Sequence, residues 1–264
     1  MAPNPHEESQ QLEETINFKK RKLTKPAGIT KQTSLHVWVQ IENKLADRKE
    51  LLPVAQFLCQ RDCSLSPLIA EYGLPQFERQ SVFPSLMKAI VSQQLSGKAA
   101  KAIMQRLQVL LQDTVTPIET ARRILDLEET QLRQSGLSKR KSEYLKGLAQ
   151  LFVEGTLQDE KLASLSDDQL MSRLLAVRGV GEWTVHMLMI FALQREDVLP
   201  SGDLGVRKGA EKYFGWSSGQ QRKWKKAEWE AHFDKYRPYR TYVSWLLWKV
   251  NSPQFVIAMQ EAEL

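Results

Sequence analysis

The sequence predicts an all-α fold: a bundle of about ten helices behind a disordered N-terminal tail. Three observations carry this prediction. From about residue 35 onward, apolar residues recur at helical spacing almost throughout. No segment sustains the period-two alternation of a half-buried strand. The breaks between periodic runs carry helix punctuation, with serine at starts, glycine at a stop and proline in a first turn. A chain of 264 residues with 42% hydrophobic content is ample for one large core or two small ones.

Residues 1–33 are polar and aperiodic, so they are expected to form a disordered tail. The tail carries Lys19-Lys20-Arg21-Lys22, a basic cluster suited to nuclear import or to nonspecific DNA contact. That places the protein in the nucleus if its source is eukaryotic and in the cytoplasm otherwise. Glu7, Glu8, Glu13 and Glu14 argue against a mitochondrial transit peptide, which should be poor in acids. The remaining residues, 34–264, are expected as two helical lobes, one of about 34–90 plus the C-terminal helices and one of about 96–200.

Within the first lobe, helices are expected over Glu42–Gln60 and Ser66–Tyr72, the second ended by Gly73. Ser81 is expected to cap a helix over Val82–Gln94, with Pro84 tolerated in its first turn. Ser96 then caps Gly97–Gln112, and shorter helices follow at Pro117–Leu125, Glu128–Gln134 and Ser138–Phe152. A pair of helices is expected at Asp167–Leu175 and Glu182–Leu193. The run from Trp183 to Leu193 is apolar nearly all round, which suits the centre of a bundle. Leu204–Phe214, Lys223–Tyr236 and Pro238–Val250 complete the prediction.

Charge and cysteine content narrow the function. No apolar run approaches the length of a membrane helix, and the polar, acidic start is unlike a secretory signal. Cys59 and Cys63 are too few for a four-cysteine metal or iron–sulfur site, and are expected as a reduced pair with one disulfide as the alternative. The net charge is +6, yet Arg207–Lys249 alone holds 11 Lys/Arg against 4 Asp/Glu, a local +7. Such an excess in one region suits a polyanion-facing surface, although Lys223, Lys225 and Lys226 also fit a solvated face.

The most informative stretch joins the expected helix pair: Leu175-Ala-Val-Arg-Gly-Val-Gly-Glu-Trp-Thr-Val-His-Met187. Gly179 and Gly181 permit positive φ and close approach of another backbone, and the turn opens onto a helix N-terminus, a ready site for a phosphate. A plain helix stop and tight turn fits the same residues. It is no dinucleotide fingerprint, because no strand precedes it and no third glycine follows. Downstream, Pro200-Ser-Gly-Asp-Leu-Gly-Val-Arg-Lys208 places the lone carboxylate of Asp203 before a helix, as an N-cap, a catalytic group or both.

Together the words GVGEWTVHM and LPSGDLGVRKG resemble the helix-hairpin-helix DNA glycosylase superfamily, and within it the 3-methyladenine DNA glycosylase II branch. The resemblance spans roughly Ser64 to Val250. It implies a hydrolase that extrudes alkylated purines from duplex DNA and cuts their N-glycosidic bond, with Asp203 catalytic. It implies Trp183 and Trp248 as rings that stack on the base, with Met187, one turn beyond Trp183, where some relatives carry tyrosine. That departure leaves the pocket's shape and the preferred lesion open. Lyase members carry lysine at position 183; tryptophan forms no Schiff base, so the resemblance implies a glycosylase without strand-nicking activity.

The resemblance also assigns DNA contacts. Gln94, with Gln93 as alternative, falls in the Ser92–Ser96 loop that fills the gap left by a flipped base, though a plain polar turn fits the residues equally. Backbone contacts fall on Arg178, Gly179, Val180 and Gly181, on Lys139 and Arg140 beyond Gly136, and on Arg207 and Lys208. The main-chain carbonyls of Leu175, Val177 and Val180 fall where relatives hold a structural Na+ or K+. No other cofactor is expected, and the partner is duplex DNA bearing alkylated bases, bound by a monomer. A non-catalytic DNA-binding protein, or a glycosylase for another damaged base, remain the competing readings.

Overall fold

The computed structural model describes residues 31–111, 114–215 and 225–251. The expected tail up to residue 30, with its Lys19–Lys22 cluster, lies outside these residues, as do Lys223 and Trp224. Among the described residues the fold is all α, with fourteen α-helices and no strand.

Two departures separate these from the twelve helical segments named from the sequence. The run expected as one helix over Glu42–Gln60 is two, α1 (Lys31–Lys44) and α2 (Leu52–Arg61), separated by a 3₁₀ turn at Lys49–Leu51. Pro53 explains the break: its ring clashes with the carbonyl four residues back, so a helix restarts with proline in its first turn rather than running through it. α1 also takes in Lys31–Thr33, which were expected in the tail. After α3 (Ser66–Tyr72), ended by Gly73 at φ +70°, comes α4 (Val82–Ser92).

Ser81 occupies the capping position of α4 but its side chain caps nothing. The Val82 N–H instead donates to Asp159 Oδ2 at 3.1 Å, from a residue 77 positions away. Asp159 opens a short helix that the periodicity did not predict. α4 also stops two residues early, because Gln93 turns to ψ 129° and Gln94 to φ +57°.

The next elements follow the expected order. α5 (Gly97–Leu110) is capped by Ser96, whose Oγ accepts the Ala99 N–H. α6 (Pro117–Asp126), α7 (Glu129–Gln134) and α8 (Lys139–Val153) follow, then the unpredicted α9 (Asp159–Ser164). α10 (Asp167–Leu175) starts with reciprocal caps from Ser166 and Gln169, which satisfy two of the backbone donors at its start. α11 (Glu182–Met187) passes into a π turn over Leu188–Ala192 where one regular helix was expected. Val185 and Ile190 are fully buried, placing this apolar run at the centre of the core.

Beyond it lie α12 (Leu204–Phe214), α13 (Lys226–Phe233) with a 3₁₀ turn at Asp234–Tyr236, and α14 (Arg240–Asn251). α14 starts at Arg240 rather than Pro238. The buried Arg240 guanidinium donates to both oxygens of Asp197, at 2.7 and 3.0 Å, and to the Asp197 carbonyl at 2.9 Å. This forked, charge-assisted contact pins the start of α14 to the segment leading into α12. α12 runs against α14, α6 and α4 pack on α8, and α1 packs on α3.

Candidate active site

Asp203 is the N-cap of α12, and the chain reaches it through a tight turn in which the Asp203 N–H donates to the Pro200 carbonyl at 2.8 Å. Its Oδ1 accepts the Val206 N–H at 2.8 Å, so the capping reading is correct. The same carboxylate takes two further donors. Trp248 Nε1–H donates to Oδ1 at 2.7 Å, and Trp183 Nε1–H donates to Oδ2 at 2.7 Å. Asp203 is 7% exposed, so an acidic side chain is largely withdrawn from water yet fully hydrogen-bonded.

The three expected pocket residues do not behave alike. Trp183 is 44% exposed and presents a ring to solvent at the rim. Met187, one turn further into α11, is buried in the core. Trp248 is 1% exposed, with its face on Phe191 at a centroid distance of 5.8 Å and an interplanar angle of 24°. In this structure the Trp248 ring, expected to stack on a base, presents no free face, and it is its edge that meets Asp203. Met187 likewise offers no free surface.

The hairpin between α10 and α11 ends beside this group. Gly179 sits at φ +88°, and a Cβ there would lie 2.3 Å from the Tyr144 ring, so both its conformation and its neighbour require glycine. The expectation fails for Gly181, which is extended at φ −109° with no atom near the Cβ position. Gly181 is thus exposed beside the start of α11, with room for a side chain. The Gly179 carbonyl accepts Gln93 Nε2–H at 2.7 Å, tying the α4–α5 loop to the hairpin.

A family model described as HhH-GPD superfamily base excision DNA repair protein matches residues 87–232, which include this hairpin and Asp203. The chain belongs to the HhH-GPD superfamily. It is 34% identical over 175 residues to DNA-3-methyladenine glycosylase 1 of Schizosaccharomyces pombe, covering 66% of this chain and 74% of that one. The crystal structure of a Bacillus halodurans DNA-3-methyladenine glycosidase matches with a TM-score of 0.67 at 32% identity, covering 77% of this chain and 91% of the other. The structure of Schizosaccharomyces pombe Mag1 in complex with abasic DNA matches with a TM-score of 0.61 at 30% identity, covering 75% and 95%.

Around the HhH-GPD hairpin, the expected backbone contacts divide by exposure. Arg178, Lys139, Arg140 and Lys208 are exposed, Gly179 is half-buried and Val180 is buried. Arg207 is half-buried with its guanidinium 5.4 Å from the Trp229 ring centroid, so part of its charge is spent on packing. In the α4–α5 loop Gln94 is exposed, while Gln93 is half-buried and engaged with Gly179. Of the carbonyls expected to face a cation, that of Val177 already accepts the Val180 N–H at 3.0 Å, and that of Val180 belongs to a buried residue.

Two lysine contacts near the hairpin were not foreseen from the sequence. Lys141 Nζ–H donates to the Val91 and Gln93 carbonyls at 2.6 and 2.7 Å, closing the end of α4, and burial lowers its pKa. Its only signal was membership of a basic run, which does not say which lysine turns inward. Lys226 pairs with Glu182 at the head of α11, and that hydrogen bond lowers the Glu182 pKa. The pair offsets an acid that would otherwise repel a phosphate at the hairpin.

His186, one turn after Glu182, has its pKa pushed below 6.5 by burial, with Glu182 opposing and Lys226 and Arg240 adding to the shift. Between the lowered folded value and 6.5 the unfolded chain binds more protons, so stability falls as pH drops through that window. We expect His186→Gln to flatten this part of the stability-versus-pH curve, as read by denaturant melts across the acidic range. An unchanged slope in the variant counts against the assignment.

Proposed function

We propose that the protein hydrolyses the N-glycosidic bond of alkylated purines in duplex DNA, of the 3-methyladenine and 7-methylguanine type, as the first step of base excision repair. The observation that carries this reading is the Asp203 carboxylate, held at 2.7 Å by each of two indole N–H groups beside the HhH hairpin. The names of the relatives supply the lesion class.

The chemistry fits a single carboxylate. A purine methylated at N3 or N7 already carries positive charge, so its bond to C1′ is weakened and the leaving base needs no strong general acid. What develops is an oxocarbenium-like sugar, and a negative charge near C1′ stabilises it while a water adds. The lesion reaches that carboxylate only by leaving the stack. An exposed indole at Trp183 attracts an electron-poor base through stacking and cation–π terms of about 1 kcal/mol or more. Tryptophan at 183 also offers no amine for a Schiff base, so the product is an abasic site in an intact strand.

DNA is held as a monomer's ligand through the hairpin N–H groups of Gly179 and Gly181, the Val180 N–H being taken by the Val177 carbonyl, with Arg178, Lys139, Arg140 and Lys208 on phosphates, while exposed Gln94 fills the vacated stack. The carbonyls of Leu175, Val177 and Val180 hold a Na+ or K+ at the hairpin, using the lone pair that Val177 keeps free after accepting the Val180 N–H. The cation contributes positive charge toward a phosphate and takes no part in bond cleavage.

The test is incubation of the protein with methylated duplex DNA, with released bases identified and strands resolved before and after alkali. Free 3-methyladenine or 7-methylguanine, with strand breaks only after alkali, is the expected result. No released base, or a borohydride-trapped covalent adduct on lysine, overturns the reading.

A further inference from the structure

We propose that Trp248 is a positioning residue that fixes the Asp203 carboxylate, and that it divides that carboxylate into a structural oxygen, Oδ1, and a working oxygen, Oδ2. This rests on the reading of Asp203 as the group that faces the sugar. Oδ1 accepts two donors, the Val206 N–H at 2.8 Å and the Trp248 indole N–H at 2.7 Å. Neither donor is free to leave. The first belongs to the first turn of α12, and the second to a ring that is 1% exposed and packed face-on against Phe191.

Oδ2 differs. The only donor it takes among the described residues is the indole of Trp183, a ring that is 44% exposed at the rim. A carboxylate held at one oxygen by a helix N-terminus and a buried indole has its plane fixed, and its second oxygen points to the side where the covering ring meets solvent. When a nucleotide enters, Trp183 is the group that can shift and uncover Oδ2. Trp248 stays in place and keeps the oxygen aimed.

A second feature of the sequence serves this contact. A Cβ at residue 205 would lie 2.7 Å from Trp248 Cδ1 and 3.1 Å from its Nε1. Glycine after the Asp203-Leu204 pair is therefore the clearance through which the indole edge reaches the carboxylate. Gly205 is here for the neighbour, since its own backbone is ordinary helix.

The decisive variant keeps the bicyclic ring and deletes the donor: replacement of Trp248 by 3-benzothienylalanine, with Trp248→Phe as the genetically encoded counterpart. Each is compared with Asp203→Asn on methylated duplex DNA, under single-turnover and steady-state conditions. For both Trp248 variants kcat is expected to fall about tenfold to a hundredfold, the size of one hydrogen bond to a charged group. KM, affinity for abasic DNA and the ratio of released 3-methyladenine to 7-methylguanine are expected to stay unchanged. Gly205→Ala, which leaves both side chains present but crowds the indole, is expected to show the same kcat-only loss.

A raised KM or an altered base ratio with kcat preserved overturns the proposal and returns Trp248 to a stacking role. Full kcat in the benzothienylalanine protein, whose ring fills the same space, overturns it as well. If Asp203→Asn itself retains turnover, the assignment of Asp203 as the essential anion fails, and if the wild-type protein releases no base the glycosylase reading fails, so these failures are separable from that of the proposal.

Discussion

Asp203→Asn is expected to lower base release by about three orders of magnitude and to leave folding and DNA affinity nearly unchanged. The magnitude follows from charge. A carboxylate about 4 Å from a developing cation, in surroundings with an effective dielectric of about 20, contributes about 4 kcal/mol. Since about 1.4 kcal/mol is tenfold in rate, its loss is close to a thousandfold. The amide cannot replace it. Asparagine retains one acceptor for the Val206 N–H and the Trp248 indole, and is itself a favoured N-cap, so α12 keeps its first turn. Its NH₂ then faces the Trp183 Nε1–H, donor against donor, where Oδ2 had accepted at 2.7 Å. Trp183 is exposed enough to turn away from that conflict, so the structural cost is small. The measurement is single-turnover base release beside a thermal melt and an abasic-DNA titration. Retained turnover with intact binding identifies another group as the essential anion, whereas lost binding makes Asp203 a structural cap alone.

The residues that sequence reading placed correctly are those whose role is local. Asp203 caps the helix it precedes, Gly179 takes the positive φ of the turn it sits in, and Ser96 bonds to the N–H three residues on. Each depends on neighbours within one helical turn, where spacing carries the information. Other departures concern partners far along the chain. Ser81 has the right type and the right backbone for a cap, yet three residues on stands Pro84, which has no N–H to give, and the Val82 N–H goes to Asp159, which the sequence offers no reason to bring near. Trp248 shows this most clearly. An aromatic at helical spacing near an active site has a face and an edge, and which one it presents was settled by Phe191, 57 positions earlier, and by the space at Gly205. Lys141 was one of three consecutive basic residues, and only the carbonyls at the end of α4 distinguish it from the exposed Lys139 and Arg140. The resemblance to known glycosylases supplied the catalytic role proposed for Asp203. It carried the tryptophans over as equivalent rings, and their exposure separates them.

Gly209→Ala is the substitution expected to damage the fold most per atom added, and its damage reaches the active site. α12 and α14 approach so closely at Gly209 that a Cβ would lie 2.0 Å from the Leu247 carbonyl oxygen and 2.6 Å from its carbon. Those atoms are helix backbone, with no rotamer through which to yield, so one helix must move away from the other. Overpacking of this kind costs about 1–3 kcal/mol and more where backbone must shift. The roughly 1 kcal/mol that alanine gains over glycine in a helix interior does not offset it. A melting temperature lowered by about 4 °C or more is expected, since about 1 kcal/mol corresponds to about 2–4 °C in chains of this size. Gly147→Ala in α8, with nothing within 4 Å of its Cβ, is the control, and is expected to raise stability by about 0.5–1 kcal/mol. The effect on turnover follows from what α14 carries. Leu247 adjoins Trp248, so a shift that relieves the clash at Gly209 withdraws the indole from Asp203 Oδ1. Gly209→Ala should therefore lose kcat in the fraction that remains folded, in proportion to the weakened aim of the carboxylate, with little change in DNA affinity because the hairpin belongs to other helices. A protein that melts at the wild-type temperature would mean that α12 and α14 tolerate separation, and that Asp203 is held by α12 without help from α14.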